Sequence, residues 1–282
     1  MALSMILAAV VLVGGCGVVF GCLGRLWACN PSQAVFASRA MATDLVYGAA
    51  GVLYAGLVPA AVALAAGLLG RGDAQAAHAQ ISGGYGWLAG RPLWLQVIIL
   101  LIATDFCQYW LHRAFHGRGL WPFHAIHHGA REVNWTTTFR VHPVNYLLYT
   151  TSLAILARLL GFAPQAFLLA APIAFFSGAL SHANLNWTFG PLRYLVSSPV
   201  FHRWHHTASP ETRDRNFAPM FPVWDLMFGT FFMPAGRRPE GYGVEGAPED
   251  IVGQLWRPFV PLATRLSVAP PTHPPAGPRP FV

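Results

Sequence analysis

Eight histidines stand in three tight clusters of this 282-residue chain: HRAFH (His112, His116), HAIHH (His124, His127, His128) and HRWHH (His202, His205, His206). On a helix, positions three and four apart share a face, so each cluster aims its rings at one point. Imidazole is a favoured ligand of iron, zinc, copper and nickel. Eight rings exceed what one tetrahedral zinc takes, and the count points to two metal ions. His142 in VHPVN and His182 in SHANLNW lie between the second and third clusters and are available to complete the shell. Isolated His78 and His273 read as ordinary surface or hydrogen-bonded side chains.

Asp105 interrupts the apolar run that leads into the first cluster, and a carboxylate inside a membrane helix is costly enough to mark function. Its spacing to His112 and His116 keeps all three on one helical face. The expected role is a hydrogen bond to the far nitrogen of a ligating histidine, fixing its tautomer. A carboxylate that snorkels to the headgroups or pairs with an arginine is the plain alternative.

The elements that position these groups belong to a membrane protein. The chain is 54% hydrophobic and 10% charged, with a mean hydropathy of +0.43. Its net charge of +7 comes from arginine alone, since lysine does not occur. Such charge on a membrane protein reports orientation and contact with anionic headgroups, and no basic and aromatic stripe suggests nucleic acid as a partner.

The expected fold is an all-α membrane protein with about four transmembrane helices and a cytosolic histidine-rich helical cap. Residues 2–24 carry no charge and are long enough for one span; a signal peptide would want a basic start, and the first arginine is Arg25. The VGGC ending at Cys16 resembles a lipoprotein site only faintly and meets the same objection. A polar connection over 23–44, with Arg25, Arg39 and Asp44, precedes a second span at 45–70. Residues 71–91 read as a Gly-rich loop, Pro92 opens a third span, and 144–181 reads as a hairpin turning at GFAP, residues 161–164. These boundaries divide the chain into an N-terminal region (1–91), a catalytic region (92–232) and a Pro-rich tail (233–282) expected to be poorly ordered or extended and assigned no chemistry. Within the second, the aromatic stretch 216–232 is read as an interfacial amphipathic cover or a packed core segment.

This topology gathers all ten clustered and intervening histidines on one side. Most arginines outside the helices lie there too, including Arg113, Arg118, Arg131, Arg140, Arg193, Arg203, Arg213, Arg215, Arg237 and Arg238. That side should face the cytoplasm, as for a bacterial inner membrane, and a four-span count puts the amino terminus there as well.

Other chemistries lack their motifs. The cysteines Cys16, Cys22, Cys29 and Cys107 form no CxxC pair, which argues against iron–sulfur or thiolate zinc sites. No GxGxxG fingerprint, serine nucleophile elbow or HExxH pair occurs. Electrons must therefore come from another protein.

The order DFCQYWLHRAFH, WPFHAIHHGAREVNWTTTFRVHP, SHANLNW, SSPVFHRWHHT and NFAPMFPVWDLMFGT, over roughly residues 100–232, resembles the fatty acid hydroxylase and sterol desaturase superfamily. The resemblance implies a membrane-embedded helical fold and a non-haem di-iron centre that oxidises a lipid with dioxygen. It implies as ligands His112, His116, His124, His127, His128, His202, His205 and His206, with His182 an addition and His142 a further candidate. Two iron ions are the implied cofactor, with zinc an alternative occupant of the purified form. The implied partners are a lipid substrate, the bilayer and an external ferredoxin- or cytochrome-type donor with its reductase. Substrate, and the choice between hydroxylation and desaturation, stay open. A histidine-rich membrane protein that binds or transports metal without redox chemistry is the competing class, although transporters place ligands near the bilayer midplane.

Overall fold

In the computed structural model, residues 2–34, 36, 38–68, 86–88 and 90–260 are described. Most of the predicted 71–91 loop, His78, His273 and the last part of the tail lie outside them. The described residues form nine α-helices: α1 Ala2–Leu26, α2 Arg39–Leu68, α3 Leu93–Phe115, α4 Trp121–His128, α5 Pro143–Leu160, α6 Pro164–His182, α7 Pro199–His205, α8 Val223–Met227 and α9 Ile251–Trp256.

Local chemistry sets the boundaries that matter for the site. Proline stands in the first turn of α4, α6 and α7, where its missing N–H costs no hydrogen bond. Ser198 caps α7 by accepting from Phe201 N at 3.2 Å. Gly161, at φ 75, ends α5 in the left-handed conformation that lets the chain reverse into α6. The expected hairpin therefore forms, with its turn at GFAP.

By length and composition α3 and α6 are, among the described residues, the two helices able to cross a membrane. At ~1.5 Å per residue, their 23 and 19 residues reach about 34 and 28 Å, close to the ~30 Å of a bilayer core. Only 28% and 22% of their apolar windows is buried in protein, so they are not the core of a soluble fold. Ala166 and Ala170 bring α6 close to Val97 and Leu100 of α3. Gln96 of α3 accepts from Ala163 N at 2.9 Å, which places the hairpin turn beside the start of α3.

The opposite ends of α3 and α6 carry His112 and His182. There the α1–α2 connection closes on residues 184–186, with Asn186 N donating to Trp27 O at 2.8 Å. Since α1 reaches the histidine end by its C-terminus, its own start points away. The start of α1 thus lies at the other end, not at the histidine end as the four-span count expects.

Two further expectations change. Asp44 is not in a polar connection but inside α2, fully buried, where it accepts from Arg140 Nε at 2.5 Å and Thr136 Oγ1 at 2.7 Å. This pair ties α2 to the turn Trp135–Phe139, itself capped by Asn134. The tail is not extended over 233–260. Ala208 N donates to Gly241 O at 2.8 Å, Tyr242 Oη to Asn30 Oδ1 at 2.9 Å, and α9 returns to α2 through Tyr47 Oη and Gln254 Oε1 at 3.0 Å. The segment 216–232 is the packed alternative rather than an amphipathic helix, since α8 spans only five of its residues.

Removing one partner of a buried ion pair strands the other charge, at a cost of roughly 3–5 kcal/mol. Asp44→Ala should therefore lower thermal stability in detergent far more than Arg237→Ala, whose partner Glu211 is exposed. Equal melting temperatures for the two variants would remove the Asp44–Arg140 pair from the framework.

Candidate metal centre

Four segments converge at the shared end of α3 and α6. The last turn of α3 presents His112, and His116 follows it. Helix α4 gives His124, His127 and His128, α6 ends on His182, and α7 gives His202, His205 and His206. Ligand atoms fall into two groups, each within 4.8 Å: His112, His116, His124, His128 and His205, then His127, His182, His202 and His206. The groups adjoin, with the His128 and His206 rings stacked at 4.7 Å.

Backbone carbonyls decide which nitrogen of several rings carries the proton, because a carbonyl can only accept. His112 Nδ1 donates to Phe217 O at 2.7 Å, His127 Nδ1 to Arg140 O at 3.1 Å, His182 Nδ1 to Gly178 O at 2.7 Å and His205 Nδ1 to Arg215 O at 2.7 Å. Their Nε2 atoms are left as bare lone pairs. Those of His127 and His182 nonetheless face each other at 3.2 Å, and that of His182 lies 3.0 Å from His202 Nε2. His112 Nε2 is 3.0 Å from His124 Nε2, and His206 Nε2 is 3.2 Å from His202 Nε2. Nitrogens bound to one ion at ~2.1 Å stand about 3.0–3.4 Å apart, so this spacing suits shared coordination. Nε2 of His116, His128 and His205 is buried without a hydrogen-bond partner. A cation satisfies lone pairs that nothing else in the fold meets, and the donor set fits two metal ions.

Electrostatics agree. Burial, then the neighbouring imidazoles, pushes His124, His128, His205 and His206 well below the ordinary imidazole range. The same causes hold down His127 and His202, and burial lowers His116. These rings are neutral ligands at physiological pH.

Of the ten predicted histidines, nine meet and His142 does not. Its Nδ1 accepts from Val144 N at 3.0 Å, capping α5, and its Nε2 donates to Leu255 O at 3.3 Å. It is a fastener between α5 and α9.

Asp105 also departs from its expected role. It lies on the buried face of α3 with His112, yet its oxygens accept from Met220 N at 2.8 Å, Phe221 N at 3.0 Å and Trp224 Nε1 at 2.9 Å. No histidine is among these partners. Two free backbone donors and an indole N–H about two turns below His112 outcompete rings already bonded to carbonyls. Asp105 acts on the loop that carries Phe217, and through it on His112.

Several residues of the site were given no role from the sequence. Asp225, fully buried, accepts from Phe217 N, Ala218 N and Thr230 Oγ1, and so holds the carbonyl that orients His112. Burial lifts its carboxyl to about 6 against these bonds. The Asn145 amide lies 3.0 Å from His124 Nδ1, and its buried Oδ1 is otherwise without a partner, so turning the amide completes the anchoring pattern. Asp214 receives a bond from His116 Nδ1 at 3.3 Å. Arg203, fully buried inside the third cluster, donates to Val133 O, His182 O, Asn30 Oδ1 and Gln33 Oε1. The arginine of HRWHH was legible only as a positive charge.

The sequence profile of the fatty acid hydroxylase family matches residues 97–230. Ornithine lipid hydroxylase OlsE of Rhizobium tropici is 31% identical over 175 residues, 61% of this chain and 53% of that protein. An alkylglycerol monooxygenase of Caenorhabditis elegans is 32% identical over 165 residues, covering 57% and 32%. A very-long-chain aldehyde decarbonylase, GL1-6 of Oryza sativa subsp. indica, is 28% identical over 193 residues, covering 64% and 29%. The matched part thus spans about half of the first relative and about a third of the others. No solved structure matches the chain.

Two outcomes follow from the geometry. His182→Gln should reduce bound metal, measured by mass spectrometry of the purified protein, while His142→Gln leaves it unchanged; the reverse order would undo the assignment of the nine. The unfolded chain binds protons at the ordinary imidazole pKa of ~6.5, which the folded cage refuses. Stability of the metal-free protein should be full above that pH and fall as pH drops below it, read as melting temperature at pH 8 and pH 5.5. A flat profile would mean the rings are not held neutral.

Proposed function

We propose, from the match of residues 97–230 to the fatty acid hydroxylase family, that this chain is a member of it, a membrane-bound di-iron oxygenase that oxidises an aliphatic carbon of a lipid. Hydroxylation is the favoured outcome, and removal of two hydrogens to an alkene is the close variant. The observation that carries the reading is the convergence of nine neutral imidazoles in two adjoining groups at the shared end of two apolar helices. Relatives named for acting on ornithine lipids and alkylglycerols support a polar-headed lipid with a long apolar chain.

Two iron ions held by these nine histidines would supply the activation of dioxygen, for the balance R–H + O2 + 2 e− + 2 H+ → R–OH + H2O. The chain's own groups do the rest. Carbonyls of Phe217, Arg140, Gly178 and Arg215 fix the tautomers of His112, His127, His182 and His205, which keeps their inner lone pairs available. Asp225 and Asp105 hold the 217–224 loop from below, and Arg203 locks α7 against the end of α6. Burial of the cage keeps water from the reacting centre. Exposed apolar side chains along α3 and α6, among them Ile98, Ile102, Leu169 and Ile173, offer the lipid chain an approach from the bilayer. The reading includes an inner membrane crossed by α3 and α6, with the cage at the cytoplasmic surface and electrons from a soluble donor.

Comparing untargeted lipid mass spectra of cells with and without the gene should reveal a product heavier by one oxygen or lighter by two hydrogens. Purified protein should carry iron and make that product only with dioxygen and a reductase system. Iron-reconstituted protein that turns over no lipid would favour metal binding or transport without redox chemistry.

A further inference from the structure

The proposed oxidation consumes two electrons that neither lipid nor dioxygen provides, and the inference here rests on that reading. Most anchors of the cage point inward: His112, His127, His182 and His205 bond to backbone carbonyls and His124 lies against buried Asn145. His116 differs. Its Nδ1 bonds to Asp214, whose side chain is 60% exposed, so one imidazole separates the cage from water at this edge. Asp214 sits at φ 58, a left-handed conformation that few non-glycine residues adopt.

Positive charge rims the same edge. Arg113 and Arg213 are exposed and act electrostatically on Asp214, and Arg213 acts on His116 as well. Arg113 is steered by its bond to Tyr109 Oη at 3.3 Å and by stacking 5.5 Å above Trp110. Exposed Arg118 follows His116 by two residues, and Arg215 is tied to Gly229 O at 3.0 Å. Two arginines, Arg113 and Arg213, thus act on one carboxylate, with Arg118 and Arg215 adjacent in sequence, while Glu211 is engaged by Arg237 at 2.9 Å.

We propose that this face docks an acidic protein carrying one electron at a time, and that the electron enters the cage through His116. Two successive dockings each oxidise one carrier by one electron, and two protons from water complete the balance given above. Complementary charge chiefly raises the encounter rate, and electron-transfer interfaces are small, below ~1,200 Å² in total. A rim built on Arg113 and Arg213 is enough for such a contact.

The test uses the full chain in nanodiscs of zwitterionic lipid, with plant-type [2Fe–2S] ferredoxin as the acidic carrier. In the double variant Arg113→Gln/Arg213→Gln, stopped-flow reduction of iron-loaded protein by ferredoxin should slow about tenfold at low salt and lose most of its salt dependence. Reduction by methyl viologen radical, a small cation, should not slow, and Arg237→Gln/Arg238→Gln should behave as wild type. Binding of oxidised ferredoxin to zinc-loaded protein should weaken in parallel, a readout that needs no turnover. Unchanged ferredoxin rate and affinity in the double variant overturn the proposal, as does an equal loss in the Arg237/Arg238 control. So does a double variant that loses only its attraction to anionic lipid, which assigns the rim to headgroups. If viologen cannot reduce the iron-loaded wild type, the oxygenase reading itself falls and takes this one with it.

Discussion

The histidine cage rests on a conflict between hydrogen bonding and lone-pair repulsion. His127 and His182 each give their one ring proton to a backbone carbonyl, yet their inner nitrogens are held 3.2 Å apart in a buried site. Protonating either ring would relieve the repulsion, but burial and the surrounding imidazoles oppose a charge on His127. A bound cation is what reconciles these demands, and the fold is arranged to keep them from being relieved by movement.

That rigidity comes from groups outside the cage. Asp225 and Asp105 between them accept from four backbone N–H groups of the 217–221 loop, so the carbonyl facing His112 cannot drift. Arg203 reaches from α7 to His182, Val133 and the α1–α2 connection, joining two of the four contributing segments to the framework. Asp44 and Arg140 serve a third, α4, because the Arg140 carbonyl is the one that orients His127. Buried charged groups here are spent on geometry; each has hydrogen-bond partners that a surface position could not hold so firmly.

What the sequence revealed follows from range. Cluster spacing is local, so the shared face of the rings within each of the three clusters could be read from helical periodicity, and the ligand count with the span topology suggested their convergence. The α5–α6 hairpin was legible for the same reason, through Gly161 and Pro164. His142 looked like His182 in sequence, since each is a single histidine between clusters. Their fates diverge through a contact 113 residues away, the Leu255 carbonyl, which no local pattern encodes. Asp105 was correctly placed on the His112 face, but its partners come from residues 220–224 and were beyond reach. The folded tail failed for a different reason: proline content predicts extension, and α9 is held by tertiary bonds to Tyr47 and His142 instead.

An all-imidazole cage has an electrostatic consequence. Nine neutral ligands bring no negative charge to offset two divalent ions, whereas carboxylate-rich metal sites neutralise theirs. The buried cations Arg203 and Arg140 lie beside the cage rather than opposing it, and Arg140 is balanced by Asp44. Asp225 and Asp105 spend their oxygens on the loop below. Asp214 is the carboxylate that touches a cage ring, and it stands at the solvent edge. A loaded centre would therefore carry positive charge toward that edge, adding to a chain whose formal charge is already +7. Charge at the surface and charge in a loaded cage would favour the same visitor, an anionic one. For the proposed lipid oxidation, the same field would keep any positive headgroup away from the ions, with the neutral chain reaching inward.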